Sequence, residues 1–350
     1  MNPVKIFFAA QDPGGFNAIL PVIKGLKQER NFLLKIFLSN QSRNIAKRNK
    51  INYHNSNHLT ERNLIKIFKK DRPNLIFTAT SYGSSIEKKI TKIAKTLDIR
   101  TCAIVDFWAN YRSRFSDFDS ENLAYLPDYI LVTDEIMKRE MTKEGFDPRK
   151  LIITGNPFFD TFLSLLKLGK KEKIISFFCQ PFSELYKIDD KAYPGYNEIQ
   201  VFQDLVSSLE KLKLRLPLKI KFHPVAKNLK KFDRIIKGAK LKISIERKLS
   251  AENLIKKSKL VIGMWSIVLL QAALLGKKVL SYQPNLKGRD VLISNRLGIS
   301  TAVYRKDGLY PALKKMLSSR FQKKNIELIK KYIQNQSAKK VINFIKKITC

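Results

Sequence analysis

The sequence has 350 residues, of which 44% are hydrophobic and 10% aromatic, and this supply of core material excludes a wholly disordered chain. It carries 67 Lys and Arg against 30 Asp and Glu, a formal net charge of +37, which attracts polyanions such as nucleic acid, anionic lipid or phosphorylated substrates. Its three cysteines have no paired or CxxC spacing, which argues against a disulfide framework and predicts a reducing, cytoplasmic location.

Short apolar segments alternate with helical patterns through the first half of the chain. The predicted strands are 4–10, 32–38, 75–79, 101–105, 129–132 and 151–154, and the clearest helices are 17–30 and 86–97. Because these strands are apolar throughout rather than alternating, they are typical of a sheet covered on both faces. Helices between the strands predict βαβ units and a parallel sheet.

The same pattern restarts after a linker predicted at 161–173. Its strands are predicted at 174–179, 218–222, 241–245, 260–263 and 278–282, with helices at 198–212 and 266–275. We therefore predict an α/β protein with two doubly wound, Rossmann-like domains, 1–165 and 174–324, facing each other across a cleft. A basic helix at 325–350 has an apolar face, and packing back on the first domain is favoured over lying on a membrane surface.

Two predicted strand ends in the second half suit an anionic ligand. The His223 imidazole can donate a hydrogen bond to a phosphate, and Lys221 can add positive charge. Gly263 ends a buried strand, and Ser266 begins a buried helix, whose free N–H groups favour phosphate. We predict that these residues bind the phosphates of a ligand. The alternatives are an ordinary loop histidine at 223 and a simple helix cap at 266.

Asp12 follows the first predicted strand and is a candidate base. A carboxylate at this position could take a proton from an acceptor hydroxyl. Gly14 and Gly15 would let an acceptor approach the backbone closely, although Asp-Pro-Gly-Gly is also an ordinary strand-to-helix turn. The segment is neither a Walker A loop nor a GxGxxG motif.

A second candidate base, Asp106, follows another strand and begins a charged and aromatic segment with Trp108, Arg112 and Arg114. That combination suits a sugar or a lipid phosphate, and a surface loop anchored by the tryptophan is the alternative. The triplet at 117–119 spells DxD, but it lies in a loop and such triplets arise by chance. Three scattered histidines give no zinc-ligand spacing, so we expect no metal and no cofactor.

Several of these motifs resemble the GT-B superfamily of glycosyltransferases. In the first half, Trp108 with its two arginines and the segment Gly-Asn-Pro-Phe-Phe-Asp at 155–160 resemble lipid-A-disaccharide synthase. In the second half, His223 with its following proline, and Ser266, resemble bacterial sialyltransferases and CDP-glycerol glycerophosphotransferases. The resemblance implies a GT-B fold in which both residues contact donor phosphates. Many relatives bind the ribose with a Glu on the following helix, where Gln271 is the nearest match, so the nucleotide base stays open.

The sequence therefore predicts a metal-independent glycosyltransferase that moves a sugar from a nucleotide-sugar donor to a cell-envelope glycan or lipid-linked acceptor. Asp12 or Asp106 would be the base, while His223, Lys221 and Ser266 would stabilise the leaving phosphate. The alternatives are an enzyme like UDP-GlcNAc 2-epimerase and a CDP-glycerol-type phosphotransferase. We predict peripheral contact with anionic membrane. A nucleic-acid-binding protein is motivated by charge alone, and no specific nucleic acid is expected.

Overall fold

The computed structural model describes residues 3–117, 120–161, 174–189, 193–318, 326–333 and 335–349. The chain divides into two compact units, Met1–Leu163 with Tyr332–Cys350, and Ser164–Lys331. The predicted linker, apart from its first residue, and the last two residues of the DxD triplet lie outside the described residues. None of the helices in the described part of the chain combines the length and the apolar composition that a membrane span requires.

The first unit is built on a parallel sheet of seven strands. They are β1 (Val4–Ala10), β2 (Phe32–Leu38), β3 (His54–Asn55), β4 (Leu75–Thr78), β5 (Thr101–Ile104), β6 (Tyr129–Val132) and β7 (Leu151–Ile153). Their order across the sheet is β3-β2-β1-β4-β5-β6-β7. The helices are α1 (Pro13–Leu26), α2 (Ser42–Arg48), α3 (Glu61–Asp71), α4 (Ile86–Thr96), α5 (Tyr111–Phe115), α6 (Glu135–Lys143) and α7 (Pro157–Asp160). The central β1 strand is buried on both faces, as its continuous apolar sequence predicts.

The second unit repeats this plan with six parallel strands. They are β8 (Ile174–Cys179), β9 (Leu218–Phe222), β10 (Ile243–Ile245), β11 (Ser258–Gly263), β12 (Lys278–Tyr282) and β13 (Thr301–Val303), in the order β10-β9-β8-β11-β12-β13. The helices are α8 (Phe182–Leu185), α9 (Glu198–Lys211), α10 (Asp233–Gly238), α11 (Ala251–Lys257), α12 (Ile267–Leu274), α13 (Ile293–Arg296) and α14 (Lys306–Ser318), with a 3₁₀ turn at Lys230–Phe232. In both units strand order reverses beside the first strand, which marks the carboxyl edge there as a binding position.

Two helices complete the chain, α15 (Ile326–Ile333) and α16 (Ser337–Thr349). The buried residues Val341, Ile345 and Ile348 pack α16 into the core of the first unit. The Asp160 carboxylate accepts hydrogen bonds from the first backbone N–H groups of α16, at 3.1 and 2.8 Å. Its apolar face is therefore used within the protein and is not available to a membrane.

The segment 155–160, noted for its resemblance, has a structural role at this contact. Gly155 has a φ of +84°, and a Cβ added there would lie 2.2 Å from the Ser337 hydroxyl oxygen. Asn156 caps α7 through the backbone N–H of Phe158. The segment thus packs against the start of the final helix, α16.

Candidate functional site

Asp12 begins α1 at the carboxyl edge of the first sheet. The predicted helix start at residue 17 was late, because Pro13 is tolerated in a first helical turn and Gly14 and Gly15 continue it. The Asp12 backbone carbonyl accepts the first helical hydrogen bond, from Phe16, but its carboxylate makes no capping bond. The carboxylate is therefore directed to other partners than its own helix.

The surroundings of Asp12 hold its proton more tightly than water would. Burial is the main cause that raises the pKa of Asp12, and a hydrogen bond with Ser81 opposes this rise. The charge of Asp106 raises the pKa further, while that of Arg114 lowers it. A half-buried carboxylate with a raised pKa is a suitable general base.

Asp106 is committed to a neighbour. Its carboxylate pairs with the Arg114 guanidinium at 3.0 Å, and the two side chains are 15% and 11% exposed. The same guanidinium nitrogen donates to the carbonyl and hydroxyl oxygens of Thr80, at 2.9 and 3.0 Å. A Cβ added at Gly14 would lie 2.5 Å from Asp106 Oδ2, so this glycine admits the carboxylate. At Gly15 the added Cβ would lie 2.6 Å from that of Ala79. The protein itself fills the space that was predicted to admit an acceptor.

Glu87, in the first turn of α4, was missed in the sequence. It is 3% exposed, and its Oε1 accepts hydrogen bonds from the Gln11 backbone N–H at 2.9 Å and from the Ser81 hydroxyl at 2.7 Å. Burial raises the pKa of Glu87, and the negative charge of Asp12 adds to this. An acidic residue in a first helical turn is ordinarily a surface feature, so composition gave no reason to select it.

Trp108 and Arg112 do not form the ligand-facing rim that the sequence predicted. Trp108 is 1% exposed, and its indole N–H donates to Asp134. Arg112 bonds to the backbone carbonyls of Glu144 and Glu121. Both side chains fix the chain around α5, because a buried indole and a guanidinium are each stabilised by polar partners. Of the predicted segment, Asp106 and Arg114 remain beside Asp12.

His223 follows β9 at the carboxyl edge of the second sheet. Its backbone N–H donates to the Cys179 carbonyl at the end of β8, at 2.9 Å. The Val225 N–H donates to His223 Nδ1 at 3.4 Å, which assigns the imidazole hydrogen to Nε2. Although the side chain is exposed, protein atoms that displace water lower the pKa of His223. The neutral ring can therefore donate through Nε2.

Carboxylates hold the loop that follows β9 and carries His223. Glu184 accepts hydrogen bonds from the backbone N–H groups of Lys227 and Asn228, at 2.8 and 3.2 Å. Lys231 pairs with Glu184 at 3.2 Å and also with the fully buried Glu198. This support was not found in the sequence, because the residues in contact are 33 to 47 positions apart.

Ser266 caps α12, with its hydroxyl accepting from the Val268 N–H at 3.3 Å. The preceding Trp265 donates its backbone N–H to the Gln180 side chain at 3.2 Å. Since β8 lies between β9 and β11, the strand ends that precede His223 and Ser266 are two strand spacings apart, about 10 Å. Both are thus joined to the end of β8 at one sheet edge, a separation that phosphates of a nucleotide can bridge.

The other predicted donor residues have partly structural surroundings. Lys221 donates to the Leu249 carbonyl at 2.6 Å, so its ammonium is directed to the β10–α11 loop. A Cβ at Gly263 would lie 3.1 Å from the Phe178 carbonyl oxygen, and this glycine therefore permits close strand and helix packing. Gln271 is half-buried in the second turn of α12. Within the described residues, no three His, Cys, Asp or Glu side chains form a metal cluster.

The family model for alpha-2,8-polysialyltransferases matches residues 131–282, a stretch that contains His223 and Ser266. No curated protein sequence matches the chain.

Solved structures match along nearly the full length. The UDP-GlcNAc 2-epimerase of Methanocaldococcus jannaschii has 14% identity and a TM-score of 0.72, covering 98% of this chain and 99% of that one. The Neisseria meningitidis enzyme of the same name, bound to UDP-GlcNAc, has 14% identity and a TM-score of 0.69, covering 98% and 100%. The glycosyltransferase of kitacinnamycin has 10% identity and a TM-score of 0.60, covering all of both chains.

At these identities the solved structures establish the fold, and the fold is GT-B with two Rossmann-like domains, as the sequence predicted. The matched family model describes glycosyltransferases, and it spans the end of the first sheet and most of the second. By fold and family model together, the chain is a glycosyltransferase of the GT-B type.

Proposed function

We propose that this glycosyltransferase moves a sugar from a nucleotide-sugar donor to a cell-envelope glycan or a lipid-linked acceptor, without a metal ion. Asp12 takes the proton from the acceptor hydroxyl, and His223 and the start of α12 stabilise the leaving phosphate. The observation that carries this proposal is the position of the Asp12 carboxylate. It is half-buried at a sheet edge, it does not cap its own helix, and its pKa is raised.

Asp12 is a better base than Asp106, the other candidate. The Asp106 charge is neutralised by Arg114 at 3.0 Å, and removing that charge by protonation would leave a buried guanidinium without its partner. The role we assign to Asp106 is to hold Arg114 beside Asp12. The positive charge of the arginine then opposes the rise in the pKa of Asp12, as the hydrogen bond with Ser81 also does.

On the donor side, hydrogen-bond donors and a helix start take the place of a metal. Neutral His223 offers Nε2–H, and the first N–H groups of α12 offer the positive end of the helix dipole. Positive charge nearby comes from basic residues such as Lys227, which is exposed on the same loop. Lys221 and Gln271 remain proposed donor contacts.

The donor is found with a thermal-shift screen of CMP-, CDP-, UDP- and GDP-linked sugars. CMP-sialic acid stands first because the matched family model describes sialyl transfer, and UDP-GlcNAc stands next. A donor at one hundred times its Kd should add about 2.7 kcal/mol to the free energy of unfolding. No shift with any nucleotide sugar would reject the proposal.

An epimerase is the alternative that the solved structures favour, because the epimerases match nearly the whole chain. Such an enzyme needs no acceptor. Incubation with UDP-GlcNAc alone, followed by NMR of the sugar, separates the two activities. Isomerised sugar identifies an epimerase, unchanged donor with turnover only after acceptor is added identifies a transferase, and phosphorus in the product identifies a phosphotransferase.

The charge of +37 also supports peripheral binding to an anionic membrane. Because the apolar face of α16 is buried, we propose that any such contact is electrostatic, through exposed lysines such as Lys339 and Lys347. Sedimentation with phosphatidylserine vesicles at low salt should carry the protein down, and high salt or neutral vesicles should not. Equal binding to both vesicle types would contradict this proposal.

A further inference from the structure

Glu87 is a buried acid without an assigned role, and its contact with Gln11, the residue before Asp12, connects it to the proposed chemistry. Its Oε1 accepts from the Gln11 N–H at 2.9 Å and from the Ser81 hydroxyl at 2.7 Å. Its Oε2 is buried and has no hydrogen-bond partner among the described residues. Ser81, which is 1% exposed, also lowers the pKa of Asp12, so one side chain influences both carboxyl groups.

The positive groups near Glu87 have their closest contacts with other residues. The negative charge of Asp12, in the β1–α1 turn, raises the pKa of Glu87, and that of Asp106 raises the pKa of Asp12. Arg114, which lines a small pocket together with Glu87, is paired with Asp106 at 3.0 Å. The Lys88 ammonium, on the helix of Glu87, donates to the Ser113 carbonyl at 2.8 Å.

An ionised Glu87 would therefore be a buried charge without an ion-pair partner in the described structure, next to a second carboxylate. The start of α4 and two donors favour the anion, but burial is the largest influence and raises the pKa of Glu87. When two acids share one site, the more buried one keeps the proton. With Oε1 already accepting two hydrogen bonds, that proton resides on Oε2.

We propose that Glu87 is a positioning residue which, as a neutral carboxylic acid, holds Ser81 and the Gln11 backbone so that Asp12 alone carries the negative charge. The neutral acid still accepts the Ser81 hydroxyl at Oε1 and places no like charge beside Asp12. An ionised Glu87 would repel the negative charge of the base. The inference rests on the proposed role of Asp12, but the protonation order can be measured without turnover.

The test is a pH titration of carboxyl ¹³C shifts in protein labelled at Glu and Asp, with Glu87→Gln and Asp12→Asn to assign the two signals. Glu87 should titrate well above the exposed glutamates, which titrate near about 4.3. Asp12→Asn should lower its midpoint by removing a like charge. Glu61→Gln, at the exposed start of α3, is the matched control and should move neither midpoint. If Glu87 titrates with the exposed glutamates, the proposal is overturned.

Activity gives a second measurement. Glu87→Gln imitates the neutral acid and should keep kcat within about twofold, whereas Glu87→Ala should lose about 10-fold or more because Asp12 is misplaced. A glutamine variant as impaired as the alanine variant would show that ionised Glu87 is required, which overturns the proposal. If wild-type protein turns over no sugar donor while the titration order holds, the proposed function fails and the protonation of Glu87 stands.

Discussion

The two sheets carry different chemistry at equivalent edges. In the first unit, three acids converge near α1, namely Asp12, Asp106 and Glu87, with Arg114 as the paired cation. In the second unit, the acids Glu184 and Glu198 lie behind the His223 loop and are paired with Lys231. The exposed end of that loop offers a neutral imidazole. Buried acids at an edge suit proton transfer, while an edge whose acids are paired with lysines suits an anionic ligand.

The largest effect should come from Asp12→Asn. The amide cannot take a proton, so kcat should fall by about 10²- to 10⁴-fold, while donor binding and folding are kept. Stability is kept because the Asp12 side chain makes no capping bond and asparagine suits an N-cap. Steady-state kinetics and thermal unfolding measure both quantities.

Asp233→Asn is the control for that variant, since Asp233 is an exposed acid at the start of α10. Its kcat should equal that of the wild type. If Asp12→Asn retains full turnover, the first unit is not the site of proton transfer, and the contrast between the two edges fails.

His223→Ala tests the other edge. Removing one preorganised donor to a leaving phosphate should lower kcat by about 10²-fold, with little change in the free energy of unfolding because the side chain is exposed. His58→Ala, on an exposed residue of the first unit, should have no effect. A variant that only loses stability would assign His223 a structural role.

Glu184→Gln tests the support of the His223 loop in the second unit. The change should make this loop more mobile, while the imidazole itself is unaltered. Glutamine keeps one acceptor oxygen but loses the second and the charge that pairs with Lys231. We expect the donor Kd to rise by about 3- to 10-fold, a loss of roughly 1 kcal/mol, with a smaller change in kcat. Calorimetry of donor binding measures it. Glu252→Gln, in a half-buried pair with Lys256 on α11, should leave the Kd unchanged.

The sequence predicted the sheets well where strands are buried on both faces. Strands β1, β2, β6, β8 and β12 have the predicted bounds, because mostly apolar segments leave little choice of structure. Strand β9 also has the predicted bounds, although lysines alternate with its apolar residues. The two-residue β3 and the half-exposed β13 were missed, since neither has an apolar pattern. Edge strands depend on a neighbour for hydrogen bonds, and a single sequence does not display that neighbour.

The site was predictable only where residues follow strand ends. Asp12, Asp106, His223 and Ser266 were found in this way, because parallel strands bring their carboxyl ends to one edge. Glu87 and Glu184 were missed, since each acts across 40 residues or more on a backbone group that no side-chain pattern reveals. Trp108 was misjudged because aromatic residues near a site are equally common in cores, and here its partner Asp134 lies 26 residues away.

The smallest effect concerns the pH dependence of stability. The folded protein raises the pKa of Asp12, so it binds that proton more tightly than the unfolded chain, whose Asp titrates near about 3.9. The wild type should lose stability as the pH rises from the unfolded pKa of Asp12 to the folded one, and Asp12→Asn should lose less.

Asp117 should affect the pH dependence of stability in the opposite direction, because hydrogen bonds from Tyr125 and Asn122 lower its pKa. Asp117→Asn should therefore lose stability at neutral pH and become less sensitive to acid. Unfolding temperatures from about pH 2 to 8 cover both transitions, because the lowered pKa of Asp117 places its transition below about pH 4. If the two variants differed from the wild type in the same direction of pH dependence, the buried environment assigned to Asp12 would be contradicted.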